Sequence, residues 1–506
     1  MLDVLLRGAT VVDGSGGPGY IGDIGIQDGK IVLACGGLSA RETVDASGKM
    51  LCPGFIDSHS HSDMVLGWED AYAALPKVSQ GVTTEVTGQC GLSNLGVGPA
   101  KDYMEKMEAL PKVVNYAFAV GHGAVRQSVM GVRSEAPTPA ELERMYQKVQ
   151  EAMEYGSVGL TSGLIYIPGV YSTTEELVHI TKAITPYGGI YATHMRSESD
   201  FIVSALKEAI TIAREAKVPL MVSHHKVCGR DNWGLSKVTL KMIHDAIGSG
   251  MHITMDQYPY EATATTLSTS IPPEYFSQGT DALVAYLKDP VTRARIKEQI
   301  LEKSTKFSSG IRNAGGFDGV LVVKSEMRPE AVSKTIAQYA GQIGQDPMDV
   351  YLDLVADNRN EASAIYFSID PNEIDAIYMD ENTVVGSDGL ITTKTGPTHP
   401  RAFGTFARSL AVFCKEKKLL SFEKAVRKQT GLTADRWGLA GKGYIREGYD
   451  ADLVLLDYEN LRDRATYTDS RRVADGVEQV YVNGVLAYTA KGLTGAHGGR
   501  CIRRKR

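Results

Sequence analysis

Eight short apolar runs, each followed by polar residues, recur between residues 51 and 389. Segments of helical periodicity such as AELERMYQKVQEAMEYG and SALKEAITIAREAK lie between them. Alternation of this kind predicts an α/β protein with a parallel sheet, and eight units are the number that closes a (β/α)8 barrel, the TIM barrel. The runs are LCPGFIDSH, VTTEVTG, YAFAVGH, SVGLTSG, GIYATHM, PLMVSHH, HITMDQYP and TVVGSDG.

Both ends of the chain have the pattern of short β-strands separated by tight turns. Residues 1–55 contain Asp-Gly and Ser-Gly turn pairs, and residues 436–495 contain the hairpin signal Val-Asn-Gly-Val. We therefore predict that the two ends form one small β-sandwich beside a barrel domain of residues 56–435. The interval between the seventh and eighth runs is too long for one helix, which predicts an insertion at about residues 262–325. Residues 496–506 form a basic tail, and we expect its charged run, Arg503 to Arg506, to be a solvated end.

The charge and cysteine content exclude several classes of protein. A formal net charge of -6 and a pI near 6.0 argue against nucleic-acid binding, because phosphate attraction needs a concentrated excess of Lys and Arg. The six cysteines lack the paired spacing of a disulfide framework, and no stretch has the character of a signal peptide or a membrane span. We therefore expect a cytoplasmic protein that binds neither nucleic acid nor membrane. Its oligomeric state stays open, with a homo-oligomer as one alternative.

Side chains suited to metal binding or acid–base chemistry follow five of the eight runs. Because catalytic groups collect at the C-terminal ends of barrel strands, we expect these side chains to lie close together. Imidazole nitrogen and thiolate sulfur are favoured ligands of zinc, and a His-X-His pair places two rings on the same side of a strand. The sequence therefore predicts a zinc site. Its candidate residues are His59, His61, Cys90, His194, His224 and Asp388.

The same segments resemble the amidohydrolase superfamily. The similarity lies in PGFIDSHSHSD, Gly-Val-Thr-Thr at residues 81–84, THMRSE, SHHKVCG and GSDG. GQCGLS at residues 88–93, SHHK, and HPRAFGTF at residues 399–406 are similar to the D-aminoacylases, the N-acyl-D-amino-acid deacylases. The resemblance extends over nearly the whole chain, including both β-rich ends.

This resemblance implies two metal positions. Cys90, His194 and His224 would hold a tightly bound zinc ion, while His59 and His61 would belong to a second, weaker position that Cys90 could also touch. In many superfamily members a carboxylated lysine on the fourth strand bridges the metals. The fourth run here, SVGLTSGL, has no lysine, which is consistent with Cys90 in that place.

Other residues near these motifs are candidates for substrate binding or for support. The resemblance implies that Lys226 binds the substrate carboxylate, and Tyr258 is a candidate hydrogen-bond donor to the substrate. We expect His399 and Arg401 to brace the loop after the eighth run. Cys228 is close to the site in sequence, but nothing requires it to bind metal.

The expected activity is zinc-dependent hydrolysis of the amide bond of N-acyl-D-amino acids, which gives a carboxylate and a free D-amino acid. Metal-activated water would attack the amide, and Asp388 would accept the proton and then protonate the departing nitrogen. A cyclic-amide hydrolase like the hydantoinases and dihydroorotases is one alternative, and a dipeptidase acting on a C-terminal D-residue is another. A noncatalytic barrel scaffold is disfavoured because all six site positions are present.

Overall fold

The computed structural model describes residues 1–33, 37–66, 73–303, 307–391 and 394–504. Cys35 and the last two residues of the basic tail lie outside the described residues. The other five cysteines are free thiols. None of the described helices has the length and apolarity needed to cross a bilayer.

Strands and helices alternate over most of the chain. The strands are β1 (Leu2–Val11), β2 (Tyr20–Gln27), β3 (Lys30–Val32), β4 (Ala40–Asp45), β5 (Met50–Pro53), β6 (Phe55–Asp57), β7 (Val82–Thr87), β8 (Asn115–Phe118), β9 (Val120–Gly121), β10 (Gly159–Gly163), β11 (Ile190–His194), β12 (Leu220–Val222), β13 (Ile253–Gln257), β14 (Ala262–Thr266), β15 (Val320–Lys324), β16 (Ser363–Phe367), β17 (Thr383–Val385), β18 (Leu453–Leu456), β19 (Val477–Val482), β20 (Val485–Thr489), β21 (Gly492–Leu493) and β22 (Cys501–Ile502). The α-helices are α1 (Leu75–Val78), α2 (Ala100–Ala109), α3 (His122–Met130), α4 (Pro139–Glu154), α5 (Thr174–Thr181), α6 (Ile202–Ala216), α7 (Ser236–Gly248), α8 (Thr280–Lys288), α9 (Pro290–Leu301), α10 (Gly310–Asn313), α11 (Ile336–Ile343), α12 (Pro347–Asp357), α13 (Pro371–Met379), α14 (Arg401–Arg408), α15 (Phe422–Gln429) and α16 (Gly431–Trp437).

Local sequence signals explain where several helices begin. At the start of α4 the Thr138 side chain accepts a hydrogen bond from the Glu141 N–H, and the Glu141 side chain accepts one from the Thr138 N–H. Thr335 and Gln338 form the same reciprocal pair at the start of α11. Such capping boxes satisfy backbone donors that the first turn of a helix leaves unpaired.

Two parallel sheets contain all eight of the predicted apolar runs. One sheet has the strand order β17-β13-β12-β11-β10-β9, and the other has the order β22-β8-β7-β6. The third run contributes β8 to one sheet and β9 to the other, so it joins them. The Ser58 N–H donates to the Val385 carbonyl at 3.3 Å, and the Asp388 N–H donates to the His59 carbonyl at 2.8 Å. These bonds connect the end of the first run to the end of the last.

Apolar side chains fill the space between the parallel strands. Trp437, at the end of α16, is fully buried among them, and its Nε1 donates to Ser58 Oγ at 2.8 Å. The strand members of this cluster precede the candidate site residues along their own strands, so the cluster lies beneath the site. They include Ile56, Val86, Ala192, Met221 and Val384.

Both ends of the chain contribute to one nine-stranded sheet. Its order is β21-β20-β19-β18-β5-β1-β2-β3, and β4 lies beside β1. β18 pairs antiparallel with β5, with Leu453 opposite Pro53, and this pairing joins the C-terminal half of the sheet to the N-terminal half. One face covers a separate apolar cluster that includes Leu6, Ile26 and Leu455.

The segment inserted between β13 and β17 forms a unit with its own core. Its three strands pair antiparallel in the order β14-β16-β15, and its helices are α8 to α12. Leu283, Ile296 and Tyr351 belong to its apolar cluster, which is distinct from that of the parallel strands. The unit is longer than the predicted 262–325, because its central strand, β16, comes from a later part of the chain.

The solvated end predicted for the basic run is correct for Arg503, which is exposed, and wrong for Arg504, which is partly buried. β22 pairs in parallel with β8 as an added strand. Arg504 Nε donates to the Tyr187 carbonyl at 3.0 Å, and its Nη1 donates to the carbonyls of Val158 and Trp437, each at 3.4 Å. The guanidinium group thus supplies donors to carbonyls at the ends of loops, which a charge pattern alone does not reveal.

Candidate metal centre

Each of the six candidate residues lies at the end of a parallel strand or a few residues beyond it. Three of them, Cys90, His224 and Asp388, have φ angles of 55°, 35° and 48°. Residues other than glycine rarely adopt this left-handed conformation, and those that do are concentrated at functional sites. His59 and His61 follow β6, Cys90 follows β7, His194 ends β11, His224 follows β12, and Asp388 follows β17.

The Cys90 sulfur lies at the centre of three imidazoles. Its Sγ is 3.3 Å from His59 Nε2, 3.5 Å from His224 Nε2 and 3.8 Å from His194 Nδ1. All four residues are at most 5% exposed. Side chains from four distant segments of the sequence therefore meet at one buried point.

Asp388 closes the cluster on another side. Its Oδ1 is 3.2 Å from His61 Nε2 and 3.5 Å from His59 Nε2. Its Oδ2 is 2.8 Å from Nη1 of Arg401. Burial opposes ionisation of this carboxyl, but Arg401 and His224 hold its pKa well below the usual range. Asp388 is therefore a carboxylate at neutral pH.

The donor set fits a zinc ion. Donor atoms of His59, Cys90, His224 and Asp388 all lie within 4.8 Å of one another. Burial raises the pKa of the Cys90 thiol, but His59 and His224 outweigh burial and hold the pKa well below its usual value. The resulting thiolate is the form that binds metal, and thiolate with imidazole is a combination that zinc favours.

A buried lysine and aspartate support the strand ends beneath the cluster. Lys77 Nζ donates to Asp57 Oδ2 and to Ser387 Oγ, each at 2.5 Å. Asp57 Oδ1 accepts the backbone N–H groups of His59 at 3.1 Å and Ser387 at 2.8 Å. This group fixes the end of β6 relative to the loop after β17, and so fixes His59 relative to Asp388.

Three charged residues that contact the site did not stand out in the sequence. Arg401, expected to brace a loop, contacts the Asp388 carboxylate directly. Glu198 lies behind His224, and Asp256 Oδ1 is 3.4 Å from His59 Nδ1. The sequence did contain signals for two of these residues, because Glu198 belongs to the THMRSE motif and Asp256 ends the HITMD segment. Neither motif indicates which way its carboxylate points.

Lys226 and Tyr258, the candidates for substrate binding, lie one layer behind the cavity wall. Lys226 Nζ is 2.5 Å from Glu198 Oε1 and donates to the His224 carbonyl at 2.7 Å. The Tyr258 ring is close to two cations, 5.6 Å from Lys226 Nζ and 4.6 Å from the Arg401 guanidinium carbon. Neither Lys226 nor Tyr258 belongs to the described residues that line the cavity.

His399 and Cys228 have supporting environments. His399 Nε2 donates to the Ala262 carbonyl at 3.0 Å, which connects the loop after β17 to the start of β14. Burial raises the pKa of the Cys228 thiol to about 12. The thiol is therefore protonated, in contrast to Cys90.

A cavity of about 1010 Å³ leads to the cluster. His61, Cys90, His194, Asp388 and Arg401 line its inner end. Its volume is at the upper end of the range for small-molecule sites. Apolar residues contribute much of the remaining wall, among them Ile165, Ile167, Val170, Ile271 and Phe276, and the inserted unit supplies part of it.

Comparison with known proteins places this geometry in a family. The model of the amidohydrolase family matches residues 42–488. A D-aminoacylase from Alcaligenes xylosoxydans xylosoxydans is 36% identical over 99% of this chain and 98% of its own. An N-acyl-D-aspartate deacylase from the same organism is 34% identical over 95% of this chain and 91% of its own.

Solved structures agree with the sequence matches. The structure of an N-acyl-D-glutamate deacylase from Bordetella bronchiseptica, complexed with zinc and a phosphonate inhibitor, has a TM-score of 0.85 to this chain. It is 30% identical, and the alignment covers 99% of each chain. With near-complete coverage at this level of identity, the chain belongs to the amidohydrolase family and, within it, to the N-acyl-D-amino-acid deacylases.

Proposed function

We propose that this protein is a zinc-dependent hydrolase of N-acyl-D-amino acids, which releases a carboxylate and a free D-amino acid. The observation that carries the proposal is the meeting of the Cys90 sulfur with three imidazoles at 3.3–3.8 Å, beside the Asp388 carboxylate. The relatives named above support the choice of substrate, because they are a D-aminoacylase and deacylases of N-acyl-D-aspartate and N-acyl-D-glutamate.

The proposed tight zinc position belongs to Cys90, His194 and His224, and a second, weaker position belongs to His59 and His61. A bound ion supplies Lewis acidity at the amide carbonyl and lowers the pKa of water. The part of the protein is to offer one thiolate and several imidazoles in fixed positions. Burial lowers the pKa of His194, which keeps that imidazole in the neutral form that binds metal.

Asp388 is the proposed acid–base residue. Arg401 holds one carboxylate oxygen at 2.8 Å, which leaves the other oxygen facing the cluster. Because the pKa of Asp388 is held low, the carboxylate can accept a proton from the attacking water at neutral pH. It then delivers that proton to the departing nitrogen, which leaves as an amine.

We assign recognition of the substrate carboxylate to the side chains near the cations Arg401 and Lys226, at the inner end of the cavity. Lys226 and Tyr258 remain the proposed binding residues, and Arg401 shares this role because it lines the cavity itself. Arg401 and Lys226 both lie near Tyr258, at 4.6 and 5.6 Å from its ring. Lys226 can reach a substrate only by leaving part of its contact with Glu198.

The architecture proposed for this function is a (β/α)8 barrel formed by the two parallel sheets. Hydrogen bonds between the ends of β6 and β17 support closure of the barrel. The barrel domain is taken as residues 56–435, and the inserted unit as 262–367. Residues 1–55 and 436–495 are the proposed accessory β-sandwich, and the nine-stranded sheet to which both ends contribute supports their assignment to one domain. The basic tail follows.

A substrate panel tests the reaction class. Zinc-loaded protein should hydrolyse N-acyl-D-amino acids and leave their L-enantiomers largely intact. Hydantoins and dipeptides with a C-terminal D-residue test the cyclic-amide and dipeptidase alternatives in the same assay. Faster turnover of either class than of every N-acyl-D-amino acid would replace the proposed substrate, and no hydrolysis of any compound would favour a noncatalytic scaffold.

Two variants test the assigned roles. Asp388→Asn should retain zinc but lose turnover by about 10²- to 10⁴-fold, because the proton acceptor is removed. Cys90→Ala should lower both the zinc content and the rate, because a soft, charged donor is lost. Metal analysis of the purified proteins separates the two effects. Turnover of Asp388→Asn within a few-fold of the parent would rule out the acid–base assignment.

A further inference from the structure

A carboxylate that is 11% exposed and lines the cavity contacts two of the proposed zinc ligands. Glu198 Oε1 is 2.8 Å from His224 Nδ1, and Glu198 Oε2 is 3.5 Å from His194 Nε2. The opposite nitrogens of the same rings, His224 Nε2 and His194 Nδ1, face the Cys90 sulfur at 3.5 and 3.8 Å. The carboxylate is therefore close to the rear nitrogen of His224 and 3.5 Å from that of His194, which has no hydrogen-bond partner among the described residues.

This arrangement has a consequence for the protons on the rings. A neutral imidazole carries one proton, and only the nitrogen without it can donate a lone pair to a metal. For both rings to present lone pairs beside Cys90, the protons must be on His224 Nδ1 and His194 Nε2. Those are the two nitrogens that face Glu198. Lys226 Nζ is also 2.7 Å from His224 Nδ1, so in this tautomer the lysine donates to Glu198 and to the His224 carbonyl and not to the ring.

We propose that Glu198 is a positioning residue that fixes the tautomers and ring orientations of His194 and His224, so that both imidazoles present their lone pairs at the Cys90 side. The inference rests on the proposed zinc centre. Partners of this kind orient metal-binding imidazoles and raise their basicity. The two rings use different nitrogens toward Cys90, Nδ1 in one and Nε2 in the other, so a single carboxylate can serve both.

Lys226 holds Glu198 in this position. Its Nζ lies 2.5 Å from Glu198 Oε1 and donates to the His224 carbonyl at 2.7 Å. The ammonium group thus holds the Glu198 carboxylate beside the His224 ring.

The same lysine argues against a direct metal-binding role for Glu198. Donor atoms of His194, Glu198 and His224 lie within 4.8 Å of one another, which would suit a further ion. However, the Lys226 ammonium is 2.5 Å from Glu198 and 2.7 Å from His224 Nδ1. Its charge would repel a metal ion placed there, so the carboxylate is better matched to imidazole protons.

The test measures zinc affinity of the metal-free full chain by competition with a chelating dye, and the spectrum of the cobalt-substituted protein. Glu198→Gln keeps the size of the side chain but removes its charge. We expect its zinc affinity to fall by about 10- to 100-fold and its cobalt–thiolate band to shift. Glu198→Asp keeps the charge and should bind zinc more tightly than Glu198→Gln does.

Glu176→Gln is the matched control. Glu176 Oε1 contacts His122 Nε2 at 3.0 Å, and both residues are buried, but neither lines the cavity. This variant should keep the zinc affinity and cobalt spectrum of the parent protein. Equal zinc affinity in Glu198→Gln and the parent would overturn the inference, as would weaker binding by Glu198→Asp than by Glu198→Gln. A parent protein that binds no zinc would instead overturn the proposed function.

Discussion

The position of Cys90 depends on a neighbouring glycine, Gly163. The Gly163 Cα, at the end of β10, lies so close to Cys90 that an added Cβ would be 2.2 Å from the Cys90 carbonyl oxygen. The same Cβ would be 2.8 Å from the ring of Tyr166, which also lines the cavity. Backbone cannot move aside as a flexible side chain can, so this glycine permits the close approach of two strand ends.

Gly163→Ala should therefore displace the Cys90 sulfur. We expect a loss of stability of about 1–3 kcal/mol from overpacking and a fall in turnover of about a hundredfold from misplacement. Zinc affinity, measured by chelator competition, should fall with turnover. Gly341→Ala, in the exposed part of α11 with no atom within 4 Å of the added Cβ, is the control and should be neutral or stabilising by up to about 1 kcal/mol. Unchanged zinc binding in Gly163→Ala would contradict the expected displacement.

At the residue scale, sequence patterns did not predict that Glu198, Asp256 and Arg401 contact the site. The candidate ligands could be predicted because each follows an apolar run, and parallel strands bring such positions to one edge. The three charged residues contact the site through the direction of their side chains, which spacing does not encode. Lys77, in α1, is a further example. A lysine that is 2% exposed is rare unless it is paired, and the partners of Lys77 are Asp57 at the end of β6 and Ser387 in the loop after β17.

At the scale of elements, all eight apolar runs contain strands, since each run is buried and has turn residues at its ends. The inserted unit and the tail were harder to predict. β16 pairs with β14 and β15, which lie far away in the sequence, so the boundary of the unit depends on long-range pairing. β22 has only two residues, and its pairing with β8 gives no periodic signal.

The C-terminal strand makes a prediction at this scale. Arg504→Ala should lower the free energy of unfolding by about 1–3 kcal/mol, because it leaves carbonyls of Val158, Tyr187 and Trp437 without this donor. Arg503→Ala is the control, because its ion pair with Glu108 is exposed and should contribute at most about 1 kcal/mol. Urea denaturation of both variants measures the difference. An equal loss of unfolding free energy in the two variants would show that Arg504 contributes no more to the stability of the fold than Arg503 does.

At the scale of the whole molecule, Asp450 joins segments from both ends of the chain. Its carboxylate pairs with Lys30 Nζ at 2.7 Å, Lys442 Nζ at 3.1 Å and the guanidinium of Arg500. Burial raises the pKa of this carboxyl, but Lys442 and Arg500 outweigh burial and lower the pKa below its usual value. A carboxyl whose pKa is lower in the folded state stabilises the fold above its unfolded pKa, about 3.9, and loses that contribution as the pH falls below it.

Asp450→Asn should thus destabilise the protein at neutral pH by about 1–3 kcal/mol, because the carboxylate is buried but Lys30 and Arg500 are about half exposed. The difference in free energy of unfolding between parent and variant should be constant from about pH 7 to pH 5 and should shrink below about pH 4. Asp245→Asn, which removes an exposed pair with Lys241, is the control and should change little at any pH. A difference for Asp450→Asn that grows toward low pH would contradict the assigned direction of the pKa.

Trp437 and the apolar cluster around it occupy the space beneath the site residues, while the cavity extends toward the inserted unit. The apolar cluster fills the side of the site that faces away from the cavity, so among the described residues a ligand meets the site from the side of the inserted unit. Side chains of that unit therefore contact the part of a ligand that lies farthest from the cluster, and changes in them should alter which ligands fit.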